Sequence, residues 1–315
     1  MVVVNWNSEA CIDRCLTALL SQSVVPHKII LVDNASNDTS LDIVRRFPSV
    51  VLIQNQENMG FAYANNTAIN GAIESQYVAL LNPDAFPERN WLSELLSAVN
   101  SNPDCASFGS RQLSANAPEI LDGTGDVFHV SGKVSRDGKG HLQNDSDLIS
   151  REIFSPCAAA ALYRRQAFLD IGGFDEDFFC YMEDVDLGFR LRLAGHKAMY
   201  VPDAVVHHIG SAATGGSRSD FSIYHGHRNL VWCFVKNMPG VLFWLLLPVH
   251  LLLNVITVLW FLLTGHGKVI LRAKRDALLG LPKMWKKRKQ IQAGRVASIA
   301  SIWRVLDKSL AFFKR

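Results

Sequence analysis

The sequence predicts an α/β fold: a parallel sheet covered by helices on both faces, continued by an apolar helical segment towards the C-terminus. Over the first hundred residues, short runs that are apolar throughout alternate with stretches of helical periodicity, as strands buried on both faces do. Most of these runs lead directly into Asn or Asp. Residues 241–264 then carry no formally charged side chain.

Val2–Asn5 reads as the first strand, and Ile12, Leu16, Leu19 and Leu20 recur at helical spacing. Ile29–Val32 is a second buried run leading into Asp33-Asn34. Leu41 and Val44 mark a short helix, and Val50–Ile53 a third strand. Ala64, Ala68, Ile69, Ala72 and Ile73 make a helix face of small residues, suited to close packing. Tyr77–Leu81 is a fourth strand ending in Asn82-Pro83-Asp84, and Trp91, Leu92, Leu95, Leu96 and Val99 give the next helix. Ligands of a parallel sheet collect beyond the carboxyl ends of its strands. Asn5 and Asn7, Asp33 and Asn34, Asn58, and Asn82 and Asp84 occupy those ends, so four strand ends are expected to aim at one crevice.

Residues 110–150 are polar and Gly-rich and read as irregular strands and loops. Residues 154–163 turn apolar and Ala-rich, and 210–221 read as a mobile Gly/Ser loop. The 241–264 stretch is long enough to span a bilayer. Pro248 is expected to break it early, and His250 and Asn254 lie within it.

The net charge of +3 conceals a split. Residues 265–315 hold 14 Lys and Arg against two Asp, while the rest hold 18 against 27 acidic residues. A basic tail on an acidic body calls for an anionic partner. Lys283-Met284-Trp285-Lys286-Lys287-Arg288-Lys289 suits an anionic membrane surface, and no nucleic-acid motif accompanies it, so no nucleic acid is expected as a partner. A broken hairpin or an interfacial helix fits 241–264 better than a single crossing, because one crossing would separate the body from its basic tail. Cys11, Cys15, Cys105, Cys157, Cys180 and Cys233 form no C-x-x-C pair and read as buried thiols of a reducing compartment. Met1 leads straight into Val2-Val3-Val4, so no secretory signal is expected, although the natural start is left open to lie upstream.

Five segments occur together and in order: Asp33-Asn34-Ala35-Ser36-Asn37-Asp38, Asn58-Met59-Gly60-Phe61, Asn82-Pro83-Asp84, Gly173-Phe174-Asp175-Glu176 and Glu183-Asp184-Val185-Asp186. From residue 2 to about 240 the chain resembles the family-2 glycosyltransferases, and among them the bacterial rhamnosyltransferase-like branch. The resemblance implies a GT-A-type α/β fold with a Rossmann-like nucleotide-binding half. It divides the chain into a nucleotide-sugar-binding half (1–110), an acceptor and catalytic half (111–238), and a membrane-associating helical segment with a basic tail (239–315). It implies inverting, metal-dependent transfer of a sugar, rhamnose as the best single guess, from a dTDP- or UDP-sugar. The acceptor would be a lipid-linked or cell-envelope saccharide at the cytoplasmic face of the cell membrane.

The resemblance also assigns roles. Asp184 is the base that takes the acceptor proton, with Glu183 and Asp186 holding the acceptor or the helix start. Asp33 accepts the N3–H of uracil or thymine. Asn5, Asn7, Asn58 and Gly60 line the donor site, and Arg228 meets the diphosphate. Asp84 stands where relatives carry Asp-x-Asp, with Asn82 replacing one carboxylate, and it holds Mg²⁺ or Mn²⁺ together with His207. Relatives often carry a glycine near Cys157-Ala158, so the Ala158 methyl is expected to alter acceptor fit. Two other readings are a sugar-nucleotide pyrophosphorylase and a non-catalytic nucleotide-sugar-binding scaffold. The first would need a Gly- and Arg-bearing loop after the first strand, which Val4-Asn5-Trp6-Asn7-Ser8 lacks. The second would have no use for Asp84, Asp184 and His207 together.

Overall fold

The structure is a computed structural model that describes residues 1–71, 75–210 and 219–309. Ala72 and Ile73 of the expected helix face, and most of the 210–221 loop, lie outside the described residues. The chain opens as β1 (Val2–Asn5), α1 (Ile12–Leu20), β2 (Ile29–Asp33), α2 (Ser40–Val44), β3 (Val50–Gln54), α3 (Gly60–Asn70) and β4 (Tyr77–Leu81). It continues with β5 (Ala85–Pro87), α4 (Trp91–Ser101), β6 (Cys105–Ser114) and four short strands: β7 (Leu121–Gly123), β8 (Asp126–Phe128), β9 (Val134–Arg136) and β10 (Arg151–Ile153). β11 (Ala160–Arg164), α5 (Arg165–Asp170), α6 (Glu183–Leu193) and β12 (Lys197–His208) follow. Helices α7 (Asp220–Asn237), α8 (Gly240–Leu263), α9 (Gly267–Ala293) and α10 (Ile299–Val305) complete the described chain.

Ten strands form one sheet along the order β10-β12-β6-β11-β4-β1-β2-β3, with β5 added to β12 and β7 to β6; β8 and β9 form a separate hairpin. β1 runs parallel to β2 and β4, and β2 parallel to β3, as the apolar runs predict. Beyond β4 the sheet is mixed, because β11 lies antiparallel between β4 and β6. β6 runs through the boundary drawn at residue 110, so the first two spans share one sheet. Strand alternation sorts the core. Val3, Leu31 and Leu81 pack with Leu16, Leu19, Trp91 and Leu95 on one face, while Val2, Ile30 and Leu80 pack with Ala64, Ala68, Phe168 and Leu187 on the other. Cys11 and Cys15 belong to the first cluster, and all six cysteines are free thiols.

The C-terminal helices form a hairpin on the body. α8 runs uninterrupted through Pro248, which corrects the expected break. A proline leaves the carbonyl four residues earlier without its helical donor. That residue is Trp244, and both it and Pro248 lie on the exposed side. The polar residues of α8 face inward: His250 Nδ1 is 2.8 Å from the Ser131 carbonyl, its ring stacks on Phe234 at 4.0 Å, and Asn254 Oδ1 accepts from Lys274 Nζ at 2.6 Å. α9 returns along α7, where Trp232 Nε1 donates to the Ala277 carbonyl and Arg288 donates to the carbonyls of Val235 and Met238.

Beneath the sheet, α6 and α7 are locked by charge. Asp186 is buried, accepts from Arg190 Nε at 2.8 Å and from Asn237 Nδ2 at 2.7 Å, and lies 2.7 Å from Lys236 Nζ. Removing one member of such a cluster leaves a buried charge uncompensated. Asp186→Ala is expected to destabilise the fold by about 3–5 kcal/mol, read as a lowered urea midpoint.

Candidate active site

β5 runs antiparallel to the end of β12, in a register that sets His208 opposite Ala85 and His207 opposite Phe86. The Ile209 N–H closes this corner on the Asp84 carbonyl at 3.0 Å. His208 therefore turns into the site, its Nε2 3.3 Å from Asp84 Oδ1. His207 turns outward, its Nε2 3.1 Å from Glu88 Oε1. The expectation for His207 is thus corrected: neighbours on a strand point to opposite faces, and the one facing Asp84 is His208. His208 Nδ1 is 2.8 Å from Asp122 Oδ2, while its buried Nε2 makes no hydrogen bond. An imidazole held at Nδ1 by a carboxylate, with a bare Nε2 beside a second carboxylate, fits a divalent cation. Burial opposes the charge on His208, but Asp122 and Asp84 outweigh it and raise its pKa. Burial likewise works against Asp122, yet His208, Arg136 and Lys139 hold its carboxyl well below the usual carboxylate range. Among the described residues no group of three or more His, Cys, Asp or Glu is placed to hold a metal. Asp84 and His208 are two groups that could hold a divalent cation, short of a full ligand set.

The loop before α6 is strained. Phe179, Tyr181 and Met182 have φ of 64°, 63° and 70°, a region that side chains disfavour. One amide holds it: Asn229 Nδ2 donates to the carbonyls of Phe178, Cys180 and Tyr181 at 2.9, 2.9 and 2.8 Å. Arg228 donates to the carbonyls of Asp177 and Phe178, both at 3.1 Å, and lies 4.3 Å over the Trp232 ring. Its guanidinium is engaged by the loop and does not line the cleft, which corrects the diphosphate role expected of it.

Glu183 and Asp184 follow at the start of α6. Asp184 accepts from the N–H groups of Ala158 (3.1 Å) and Val185 (2.8 Å). Glu183 is buried with Oε2 unbonded; burial, and then the charge of Asp184, push its pKa well above the carboxylate range. Asp126 joins them, with Ser155 Oγ at 3.2 Å and Arg136 Nε at 3.8 Å. Burial and then Asp184 raise its pKa to about 7, against the pull of Arg136 and Ser155. Burial and the neighbouring Asp184 thus act in the same direction on Glu183 and Asp126, raising both. Asp186, expected to touch the acceptor, is instead spent on Arg190, Lys236 and Asn237 inside the fold.

At the sheet crest Asn7 lines the cleft in a left-handed conformation (φ 52°) and accepts the Asn37 N–H at 2.9 Å. Asn58 accepts the Gly60 N–H at 2.9 Å. Gly60 is required: its φ is 84°, and a Cβ there would lie 2.6 Å from the Phe179 ring. Asn5 and Asp33 do not line the cleft. Asn5 Nδ2 donates to Asp33 Oδ1 (2.7 Å), and the Ser36 hydroxyl and N–H donate to the same carboxylate (2.6 and 3.1 Å). Both residues form a buried lock behind the crest, which corrects their expected contact with donor and base. Asn34 is the residue of that turn that reaches the cleft.

Asn7, Asn58, Gly60, Asp84, Glu183 and Asp184 line one cleft of about 540 Å³, together with His208, Asp126, Arg136 and Lys139. The last three, and Asp122 behind them, are absent from the sequence-based set. Their signal is Asp122-Gly123-Thr124-Gly125-Asp126, two carboxylates beside glycines. A Cβ at Gly123 would lie 2.1 Å from Arg136 Cγ, so this glycine clears the path by which Arg136 reaches both carboxylates.

The model of glycosyl transferase family 2 matches residues 1–172. An N-acetylglucosaminyl-diphospho-decaprenol L-rhamnosyltransferase of Mycobacterium tuberculosis is 28% identical over 266 residues, covering 75% of this chain and 83% of that protein. An O-antigen chain rhamnosyltransferase of Salmonella anatum is 29% identical over 192 residues, covering 61% and 59%. Among solved structures, a mannosyltransferase of Pyrobaculum calidifontis in complex with GDP-Man and Mn²⁺ shares the fold with a TM-score of 0.55 at 17% identity, covering 96% of this chain and 86% of that one. The chain belongs to glycosyl transferase family 2 and is a glycosyltransferase of GT-A-type fold, with sequence relatives among the rhamnosyltransferases.

Proposed function

We propose that the chain transfers a rhamnosyl residue, with inversion, from a dTDP- or UDP-sugar to a lipid-linked saccharide at the cytoplasmic face of the membrane, with Mg²⁺ or Mn²⁺. The observation that carries this reading is the sharing of one cleft by Asp184 and the Asp84–His208 pair. Rhamnose is supported by what both rhamnosyltransferase relatives are named for, and a lipid-diphosphate acceptor by the name of the Mycobacterium tuberculosis relative. The choice of base rests on the resemblance and not on Asp33.

Asp84 and His208 would hold a divalent cation, which when bound would supply positive charge for a departing diphosphate. Asp184, oriented by the N–H groups of Ala158 and Val185, takes the proton of the acceptor hydroxyl. The hydroxyl oxygen bonds to the anomeric carbon as the bond from that carbon to the diphosphate oxygen breaks on the opposite face. The raised pKa values of Glu183 and Asp126 work against the build-up of negative charge beside Asp184. Asn7, Asn58 and the Gly60 backbone offer polar contacts for the nucleotide. Trp244, Leu245, Leu251, Leu252, Val255, Leu259 and Trp260 form an exposed apolar face on α8, and Lys268, Arg272, Lys286 and Lys289 are exposed on α9. That combination suits a helix hairpin lying in an anionic interface.

A panel of dTDP-, UDP- and GDP-sugars with Mn²⁺ is expected to show release of dTDP or UDP; predominant GDP release overturns the donor assignment. In the same assay Asp184→Asn lowers kcat by about 10²–10⁴-fold, with nucleotide-sugar affinity retained by calorimetry. His208→Ala weakens Mn²⁺ binding, measured by electron paramagnetic resonance titration, by at least about tenfold, whereas His207→Ala leaves it unchanged. The full chain is expected to sediment with vesicles rich in phosphatidylglycerol. The double variant Leu252→Asp/Trp260→Asp stays in the supernatant, and added salt weakens the wild-type interaction.

A further inference from the structure

The strained loop before α6 places two rings on the cleft wall. Phe179 and Tyr181 line the cleft, half-buried, and Phe221 from the first turn of α7 joins them. Tyr181 and Phe221 meet edge to face with centroids 6.3 Å apart, and Phe179 and Phe221 do the same at 6.3 Å. His225 backs the group, stacked on Phe179 at 5.2 Å and tilted against Phe221 at 4.6 Å. Burial, and then Arg228 and Arg272, lower the His225 pKa to about 4, so this ring is neutral near pH 7.

Packing alone does not account for this wall. Aromatic residues placed only to fill a core are not left half-open to a cleft on a backbone in a disfavoured conformation. The loop is pinned from two sides, by Asn229 and Arg228 of α7 and by the Ala62 N–H, which donates to the Phe179 carbonyl at 3.2 Å. Such pinning fixes the direction of the rings. Glu183 and Asp184 line the same cleft as these rings. A pyranose has matching chemistry: C–H faces that pack on rings, and equatorial hydroxyls that reach polar groups at the rim. Tyr181 precedes Asp184 by three residues in the loop that leads into α6, whereas Asp84 and His208 come from the turn before β5 and the end of β12.

We propose that Tyr181 and Phe221, backed by Phe179 and His225, are the platform on which the acceptor's terminal sugar ring stacks, with its hydroxyl towards Asp184. The platform rests on the reading of the chain as a glycosyltransferase acting on a saccharide acceptor. It binds the sugar itself and not the lipid that carries it.

The test compares the full-length wild type with Phe221→Ala, Tyr181→Ala and Tyr181→Phe. The acceptors are N-acetylglucosaminyl diphosphates bearing a farnesyl chain, and the same saccharide as its lipid-free methyl glycoside. Each alanine variant is expected to raise the acceptor KM about three- to tenfold on both acceptors, with the donor KM unchanged. Tyr181→Phe stays near wild type. Thermal unfolding of each variant separates lost stacking from lost fold, and Phe221, on a regular helix, guards against a misfolded loop at Tyr181. Unchanged acceptor KM in folded alanine variants overturns the platform, as does a rise confined to the farnesyl acceptor. If the wild type releases nucleotide but transfers to neither acceptor, the acceptor class in the proposed function fails, and the platform with it.

Discussion

The Asn229 amide makes the most contacts to the loop before α6: its Nδ2 binds three carbonyls of the segment Phe178–Tyr181, and Arg228 and the Ala62 N–H add further bonds to a backbone with three side-chain residues at positive φ. Strain of this kind persists where the surroundings over-determine it. Here the surroundings are a helix whose far end is tied into the hairpin, so the loop's geometry is set by packing well away from the chemistry. From that loop follow the entry angle of α6, the placement of Glu183 and Asp184, and the directions of Phe179 and Tyr181.

The electrostatics of the cleft separate acids of one kind. Asp184, Glu183 and Asp126 are all carboxyl groups, yet Asp184 accepts two backbone N–H groups while Glu183 has an unbonded oxygen. Burial, and then the charge of Asp184, raise the pKa of both Glu183 and Asp126. On the other side, Asp122 orients His208 through Nδ1 and leaves Nε2 towards Asp84, 3.3 Å from its Oδ1.

The first four strands were legible because burial on both faces writes itself as uninterrupted apolar runs, and β1, β2, β3 and β4 appear within a residue of where those runs place them, whereas the short β5 has no such signal. Strand ends also marked the crevice, and Asn7, Asn58, Gly60 and Asp84 do line it. What sequence position could not supply was side-chain direction. Asp33 and Asn5 stand at the right edge but turn into a hydrogen-bonded lock with Ser36 and Ser40. His207 and His208 are separated only by strand parity, which needs the pairing with β5 to resolve. Asp186 and Arg228 carry charges that look functional in a motif, yet satisfy partners inside the fold. Asp122, Asp126 and Arg136 come from irregular strands in a Gly-rich stretch, where periodicity carries no signal.

Arg136 touches both halves of the cleft. Its Nη1 lies 3.2 Å from Asp122, the carboxylate behind His208, and its Nε lies 3.8 Å from Asp126, whose pKa Asp184 helps to raise. A replacement at this position removes a counter-ion from two chemistries in a single event. Its phenotype is therefore epistatic by construction: the loss belongs to neither half alone, and only cycles pairing it with changes at Asp122 and Asp126 can apportion it.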